Sequence, residues 1–343
     1  MPVRGKPGDN ESSYISTGHL PSPDRVKQLL AEALERFKTN NDGVNSDVYP
    51  ALQRVPSALF GVCIAATNGN VYQVGDSGYE FTIMSVAKPF VFALVCQDVG
   101  PEQAREKLGV NSTGLPFNSL AAIERDPDGR TNPMVNAGAM ATTSLVAGET
   151  PEARWRFIQE GLSRFAGRTL RLDDEVYASA SQTNHRNQAI ARLLESYGRL
   201  ELDPSETADL YTKQSSLNVS ARDLAVMGAT LADGGVNPLT KEQVVDAASC
   251  RYALAVMATA GLYETSGDWL FEVGLPGKSG IGGGMVAISP GKGALGTFAP
   301  PLDKAGNSVK GQLVAKFLAE RLGMNLFVSQ PELEVAGRIE SAA

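Results

Sequence analysis

The sequence contains very little histidine and cysteine. Of its 343 residues, 2 are His and 3 are Cys. One histidine, His19, lies in a polar N-terminal stretch, so the chain offers too few histidines for a zinc site or a histidine-based triad. The cysteines Cys63, Cys96 and Cys250 are widely spaced and form no Cys-x-x-Cys motif. An odd number of free thiols is typical of a reducing compartment, so we expect a cytoplasmic protein that binds no metal.

The sequence also lacks long hydrophobic runs and any cluster of basic residues. Its longest apolar run, FVFALVC at residues 90–96, is too short to cross a membrane. A net charge of −7 without a basic stripe disfavours binding to nucleic acid. Residues 1–23 are polar and lack the apolar centre of a signal peptide, so they are predicted to form a flexible tail, as are residues 328–343.

Predicted strands lie near both ends of the chain, with helices between them. An amphipathic helix at 22–39 precedes a hairpin at 58–76, in which an Asn-Gly turn joins two short strands. From about Thr82 to Tyr263 the pattern is mostly helical. Further strands are predicted at 268–274, 283–291 and 294–300, and a last helix is predicted at 308–323.

The simplest packing of these elements is an α+β fold. One antiparallel sheet is built from both chain ends, residues 24–81 and 264–327, and terminal helices flank it. Residues 82–263 then form an inserted all-helical domain. This arrangement brings distant parts of the sequence together at the sheet.

Residues 274–284, GLPGKSGIGGG, raise the possibility of a phosphate-binding loop. That motif needs a glycine at position 272, which is Glu272, and a helix after the loop, whereas a strand pattern follows here. The sequence therefore argues against nucleotide binding. Two interpretations stay open, a glycine-rich turn between strands or one wall of an acyl-transfer site.

Ser85 and Lys88 form an S-x-x-K motif. Pro89 is best tolerated in a first helical turn, which places Ser85 near the start of a helix and Lys88 on the same face. A neutral lysine can remove the proton of a serine hydroxyl, and a second cation such as Lys278 would favour the neutral form. Alone, the motif also fits a helix cap with a solvated lysine. Combined with Lys278-Ser279-Gly280, it matches the layout of serine acyl-transfer enzymes such as β-lactamases.

Further polar candidates occur in the helical block and just after it. The stretch TNPMVNAGAMATT (131–143) either forms an Asn turn before a tightly packed helix or directs an amide into a cleft. Tyr211 and Tyr263 are candidate phenolic donors, although a single tyrosine is more often a half-buried packing residue.

From about Asp24 to Phe327 the chain resembles the serine-dependent glutaminases, which hydrolyse L-glutamine to L-glutamate and ammonia. The matching stretches are SVAK, NPMVNAGAM, NHRNQAIA, YTKQSSL with LADGGVNPLT, and GLYETSGDWLFEVGLPGKSGIGGG. The resemblance implies a β-lactamase/transpeptidase-like fold and an acyl-enzyme mechanism without a cofactor. It also implies a homodimer or homotetramer.

The resemblance implies a role for each matching residue. Ser85 corresponds to the nucleophile, Lys88 to its base and Tyr263 to a catalytic tyrosine that also contacts substrate. The backbone amides of Ser85 and Ile281 correspond to the oxyanion hole. The remaining substrate contacts would come from Asn136, Asn187 and Tyr211.

Two positions depart from the family pattern. In VYASASQT, Ala180 stands where the family has a glutamate that pairs with the substrate α-amine; Asp174 or Glu175 is a possible replacement. Val48 stands where the family has tyrosine; the neighbouring Tyr49 is a possible substitute, but its side chain would point elsewhere if the backbone is kept. The alternatives are therefore a serine amidohydrolase for a different amide, or a weakly active or non-catalytic ligand-binding homologue. No role follows from the resemblance for Lys278.

Overall fold

The computed structural model describes residues 18–328, which contain fourteen α-helices and seven strands. The helices are α1 Pro23–Phe37, α2 Pro50–Gln53, α3 Lys88–Val99, α4 Pro101–Leu108, α5 Ala121–Glu124, α6 Asn136–Thr143, α7 Pro151–Ala166, α8 Asp174–Thr183, α9 His185–Ser196, α10 Pro204–Ser215, α11 Ala221–Ala232, α12 Ala247–Ala260, α13 Ser266–Val273 and α14 Val309–Arg321. The strands are β1 Gly61–Ala66, β2 Val71–Gly75, β3 Phe81–Thr82, β4 Asn218–Val219, β5 Gly277–Ser279, β6 Gly284–Ser289 and β7 Gly293–Phe298. Short 3-10 turns occur at Met84–Ala87 and Tyr263–Thr265.

The main sheet has five antiparallel strands in the order β2-β1-β7-β6-β5. The predicted N-terminal hairpin forms strands β1 and β2, and the C-terminal strand β7 pairs directly with β1. The predicted antiparallel sheet built from both chain ends is therefore confirmed. A separate pair, β3 with β4, lies within the helical region.

Side chains of the central strand β1 alternate between two hydrophobic cores. Val62 and Ile64 face a core shared with α1, α13 and α14. Cys63 and Ala65 face the larger core, which includes α3, α7, α11 and α12. Because helices cover both faces, every residue of β1 is buried and the strand reads as a continuous apolar run.

Helix α11 packs closely on the sheet because glycine occupies the contact. A Cβ atom at Gly296 of β7 would lie 2.2 Å from the carbonyl oxygen of Ala221. Although α11 belongs to the range predicted as the helical domain, it covers one face of the sheet. The division of the chain into two domains stays a prediction.

The strand predicted at 268–274 is wrong, because these residues form the end of helix α13. Trp269 and Val273, four residues apart, are buried on one helix face, whereas Phe271 is 92% exposed. Gly274 ends the helix with a left-handed φ of 69°. The consecutive apolar residues Trp269, Leu270 and Phe271 therefore belong to a helix rather than to a strand.

The predicted tails at 1–23 and 328–343 lie mostly outside the described residues. Residues 18–22 precede α1 without helix or strand. Within the described chain, no helix combines the length and the apolar character needed to cross a membrane.

Replacing Gly296 with alanine is expected to destabilise the fold by roughly 1–3 kcal/mol, because the new methyl group must push α11 away from β7. Gly78→Ala is the matched control, since nothing lies within 4 Å of its added Cβ. Urea unfolding of the two variants measures the difference. Equal midpoints for both variants would show that the contact is not tight.

Candidate active site

Ser85 lies on a sharp turn between strand β3 and helix α3. Pairing of β3 with β4, extended by a 2.9 Å hydrogen bond from the Ile83 amide to the Leu217 carbonyl, fixes the chain before the turn. Met84 then adopts a φ of 47°, which is uncommon for a residue with a side chain. Ser85 follows in the 3-10 turn that leads into α3, at the helix start that Pro89 predicts.

Lys88 is 2% exposed and has no carboxylate partner within the described residues. Its amine donates hydrogen bonds of 2.7 Å to Asn136 Oδ1 and 3.2 Å to the Met134 carbonyl. Burial lowers the pKa of Lys88 from its ordinary value of 10.5 to about 7. A substantial neutral fraction is therefore present at neutral pH. Among the described contacts, the amine makes no hydrogen bond with the Ser85 hydroxyl; such bonds often tighten only when substrate binds.

Asn136 connects several predicted site residues. It is the first residue of α6, and its Oδ1 accepts hydrogen bonds from Lys88 and, at 3.0 Å, from the Tyr211 hydroxyl. Its Nδ2 donates a 2.9 Å hydrogen bond to Asn187 Oδ1. Because donors occupy both lone pairs of Oδ1, the orientation of the Asn136 amide is fixed. The structure thus brings residues from α3, α6, α9 and α10 together.

The two predicted tyrosines are buried neutral phenols. Burial raises the pKa of Tyr211 and of Tyr263 well above the ordinary value, while interaction with the Ser85 hydroxyl acts in the opposite direction. Tyr263 has a left-handed φ of 58°, and its hydroxyl donates a 3.4 Å hydrogen bond to the Ser279 carbonyl. Both side chains are therefore hydrogen-bond donors near Ser85.

Lys278 is a second fully buried lysine without a carboxylate partner among residues 18–328. Its amine donates a 2.8 Å hydrogen bond to the Ser279 carbonyl and lies 3.9 Å from the centre of the Tyr263 ring. Burial, and then the charge of Lys88, lowers the pKa of Lys278 well below its ordinary value. Burial therefore disfavours the charged form of both amines.

The glycine-rich stretch approaches the Ser85 turn very closely. A Cβ atom at Gly280 would lie 3.0 Å from the Ile83 carbonyl oxygen and 3.2 Å from the Ser85 amide nitrogen. The stretch leads into strand β6 rather than a helix, consistent with the argument against a phosphate-binding loop. Within the described chain, the amides of Ser85 and Ile281 donate to no backbone carbonyl or side chain. Two free N–H groups therefore lie on neighbouring segments.

A cavity of about 90 Å³ opens at Ser85. The predicted residues that line it are Tyr49, Ser85, Asn136, Asn187, Tyr211 and Ile281. Lys88, Lys278 and Tyr263 are buried and do not line it. Phe117 lines the cavity, and its ring centre lies 5.1 Å from that of Tyr263.

Sequence reasoning missed several lining residues. They include Phe117, Asn118, Asn184 and Arg186. Arg186 could have been recognised because it directly precedes Asn187 at the start of α9, where the first turn faces the cavity. Phe117 and Asn118 lie on an irregular segment between α4 and α5, where no periodic pattern reports their direction.

The positions that depart from the family pattern behave differently from one another. Ala180 is buried in α8 and does not line the cavity. The suggested replacements are not in place either, because Asp174 is exposed and the exposed Glu175 forms an ion pair with Arg54. Val48 and Tyr49 both line the cavity, so Tyr49 is placed where it can substitute for the family tyrosine. After burial, its proximity is a further cause of the raised pKa of Tyr211.

Sequence comparisons match this chain to proteins described as glutaminases. A family model described as Glutaminase matches residues 43–327. The chain is 65% identical to Glutaminase 2 of Yersinia pestis over 338 residues, which cover 97% of this chain and 99% of that protein. It is 47% identical to Glutaminase of Mycobacterium ulcerans over 303 residues, 88% of this chain and 95% of that protein.

Solved structures agree with the sequence matches. The probable glutaminase ybaS superimposes with a TM-score of 0.88 at 46% identity, covering 90% of this chain and all 100% of that one. A probable glutaminase from Bacillus subtilis, complexed with 6-diazo-5-oxo-L-norleucine, gives a TM-score of 0.80 at 29% identity, covering 89% and 98%. The resemblance found from the sequence motifs and the predicted fold class are therefore confirmed.

Replacing Lys88 with methionine is expected to stabilise the folded chain at pH 7 by roughly 2–4 kcal/mol, because an amine without a carboxylate no longer has to be desolvated. Between about pH 7 and 10.5 the unfolded chain binds a proton that folded Lys88 lacks, so wild-type stability rises with pH in that window. The variant lacks this contribution. Denaturant unfolding at several pH values measures it, with the exposed Lys27→Met as control. Parallel pH curves for wild type and Lys88→Met would contradict the shifted pKa.

Proposed function

The chain belongs to the glutaminase family, and we propose that it hydrolyses the side-chain amide of L-glutamine through an acyl-enzyme on Ser85. The observation that carries this mechanism is the buried Lys88, which begins helix α3 directly after the 3-10 turn of Ser85 and has no carboxylate partner among residues 18–328. Its pKa of about 7 is suited to a general base at neutral pH. A lysine that only capped a helix would instead be solvated.

In the first step, Ser85 Oγ attacks the amide carbon while its proton passes to neutral Lys88. The oxygen of the tetrahedral intermediate becomes negatively charged, and the free amides of Ser85 and Ile281 are positioned to stabilise it. The close approach of Gly280 to the Ser85 amide brings these two N–H groups onto adjacent segments.

In the second step, the C–N bond breaks and the nitrogen leaves as ammonia after taking up a proton. Tyr263 is the candidate relay from Lys88, because the Lys88 amine lies 5.7 Å from the Tyr263 ring centre and the phenol interacts with Ser85. Water then hydrolyses the ester of Ser85, which releases glutamate and returns the proton to the serine. Asn136, Asn187 and Tyr211 are the proposed contacts to the rest of the substrate.

Lys278 is proposed to position Tyr263 and the Ser279 carbonyl rather than to adjust the pKa of Lys88. Its amine lies 3.9 Å from the centre of the Tyr263 ring and donates a 2.8 Å hydrogen bond to the Ser279 carbonyl, whereas burial is the cause that lowers the pKa of Lys88. A lysine amine can donate this hydrogen bond in either protonation state. Ser279 is also fixed through its hydroxyl, which donates to Asn307 Oδ1.

The assembly and compartment of the protein are further parts of the proposal. The family resemblance suggests a homodimer or homotetramer, which sedimentation can distinguish. Cys63, Cys96 and Cys250 are free buried thiols, and this supports a reducing, cytoplasmic environment.

Replacing Ser85 with alanine is expected to lower kcat by about 1,000-fold or more, because no acyl-enzyme can form. Ammonia release from L-glutamine measures turnover, and circular dichroism checks the fold. Mass spectrometry after incubation with 6-diazo-5-oxo-L-norleucine should find the adduct on Ser85 of the wild type alone. Full activity of a folded Ser85→Ala variant would rule out the mechanism.

The pH profile tests the separate roles of the two buried lysines. For the wild type, kcat/KM is expected to rise with pH through a midpoint of about 7, since only neutral Lys88 accepts the serine proton. Lys278→Met should lower kcat while the midpoint stays in place. A midpoint displaced to higher pH would instead mean that the charge of Lys278 lowers the pKa of Lys88.

A further inference from the structure

The described residues that line the cavity at Ser85 include a positively charged side chain but no negatively charged one. Of the residues that line it, Arg186 is the one with an ionic side chain, and none is aspartate or glutamate. The other lining groups are amides, hydroxyls and apolar side chains. The described walls therefore offer a partner to an anionic group of a ligand but no ionic partner to an ammonium group.

Carboxylates close to the site have other partners or point into solvent. Glu175 pairs with Arg54 on the surface. Asp209 accepts a 2.5 Å hydrogen bond from Tyr177 and pairs with Lys213 at 2.8 Å. Glu264, which follows Tyr263 in sequence, is exposed and does not line the cavity. None of these carboxylates lines the cavity, so none of them is an ionic partner for an ammonium group there.

Arg186 is held in a suitable geometry to bind a carboxylate. It lies in the first turn of α9, and its Nε donates a 2.9 Å hydrogen bond to the Asn118 carbonyl at the cavity rim. Among residues 18–328 it forms no ion pair, so its two terminal nitrogens are available. A guanidinium fixed through Nε presents a fork that matches a carboxylate. The neighbouring Asn187 lines the same wall.

We propose that Arg186 binds the carboxylate of the substrate and that the α-amine is not recognised by an ion pair, so that ω-amides lacking the amine, such as glutaramate (5-amino-5-oxopentanoate), are also substrates. This extends the proposed function and uses the same chemistry. Ser85 Oγ bonds to the amide carbon, the C–N bond breaks, ammonia leaves, and water releases glutarate. A buried carboxylate facing the amine would give the opposite selectivity.

The first test compares kcat/KM for L-glutamine and glutaramate on the wild-type enzyme. We expect the two values to agree within about 10-fold, because no ionic partner among the described residues holds the amine, whereas the loss of a buried ion pair would separate them by roughly 30- to 1,000-fold. Discrimination against glutaramate by more than about 100-fold would overturn the proposal.

The second test isolates the carboxylate contact. Arg186→Gln should lower kcat/KM for L-glutamine roughly 10- to 100-fold, mainly through KM, with partial recovery in Arg186→Lys. For L-glutamine amide, in which a carboxamide replaces the α-carboxylate, kcat/KM should change little on Arg186→Gln. If the role of Arg186 were purely structural, the variant would lower kcat/KM equally for both substrates. That result would contradict the proposal. The control is Arg192→Gln on the same helix, which is exposed, pairs with Glu195 and does not line the cavity.

A binding measurement separates this inference from the proposed function. Calorimetry on Ser85→Ala should give similar affinities for glutarate and L-glutamate, and Arg186→Gln in that background should weaken both. These results would support the recognition scheme even if the wild type hydrolysed none of the amides, an outcome that would remove the glutaminase mechanism. Binding of L-glutamate alone would refute the recognition scheme while leaving the mechanism intact.

Discussion

The desolvation of two amines that have no carboxylate partner among residues 18–328 is the constraint on which the site depends. Lys88 and Lys278 are both essentially inaccessible to solvent, and each donates to neutral oxygens, those of Asn136 and Met134 for the first and of Ser279 for the second. Neutral acceptors stabilise the charged form of an amine less than a carboxylate would. The fold thereby maintains a free base at neutral pH, and it accepts the cost in stability that burial of an unpaired amine brings.

The topology explains how such a site can be assembled from distant sequence. Strand β5 lies at one edge of a sheet whose other strands come from both chain ends, and its continuation reaches the Ser85 turn. The β3–β4 pair joins that turn to the end of α10, which carries Tyr211. Glycine is needed at Gly280 because the backbone itself, rather than a side chain, must approach Ser85. The site is therefore rigid through backbone contacts.

Much of this architecture could be predicted from sequence, and the failures have physical causes. The hairpin, the sheet from both ends and the helix start at Ser85 follow from local signals: an Asn-Gly turn, apolar strands and a proline. The helix over 266–273 could not be recognised because its apolar residues form a short run that fits a strand or a helix, and only tertiary packing buries Trp269 and Val273 together. The direction of Tyr49 could not be decided because it precedes a short helix, where strand alternation does not apply. Arg186 is absent from the predicted site residues, although it directly precedes Asn187, which is among them.

The charge of the residues that line the cavity and the protonation state of Lys88 are linked. A carboxylate in the wall near Lys88 would stabilise its protonated form and raise its pKa, which would reduce the fraction of free base at neutral pH. A substrate carboxylate near Lys88 would raise the pKa of the lysine in the same way unless a cation pairs with it. The guanidinium of Arg186 at the cavity rim is available as that cation. The absence of acidic residues from the described lining and the presence of Arg186 therefore act together. Recognition of the substrate carboxylate through Arg186 is therefore compatible with a neutral Lys88.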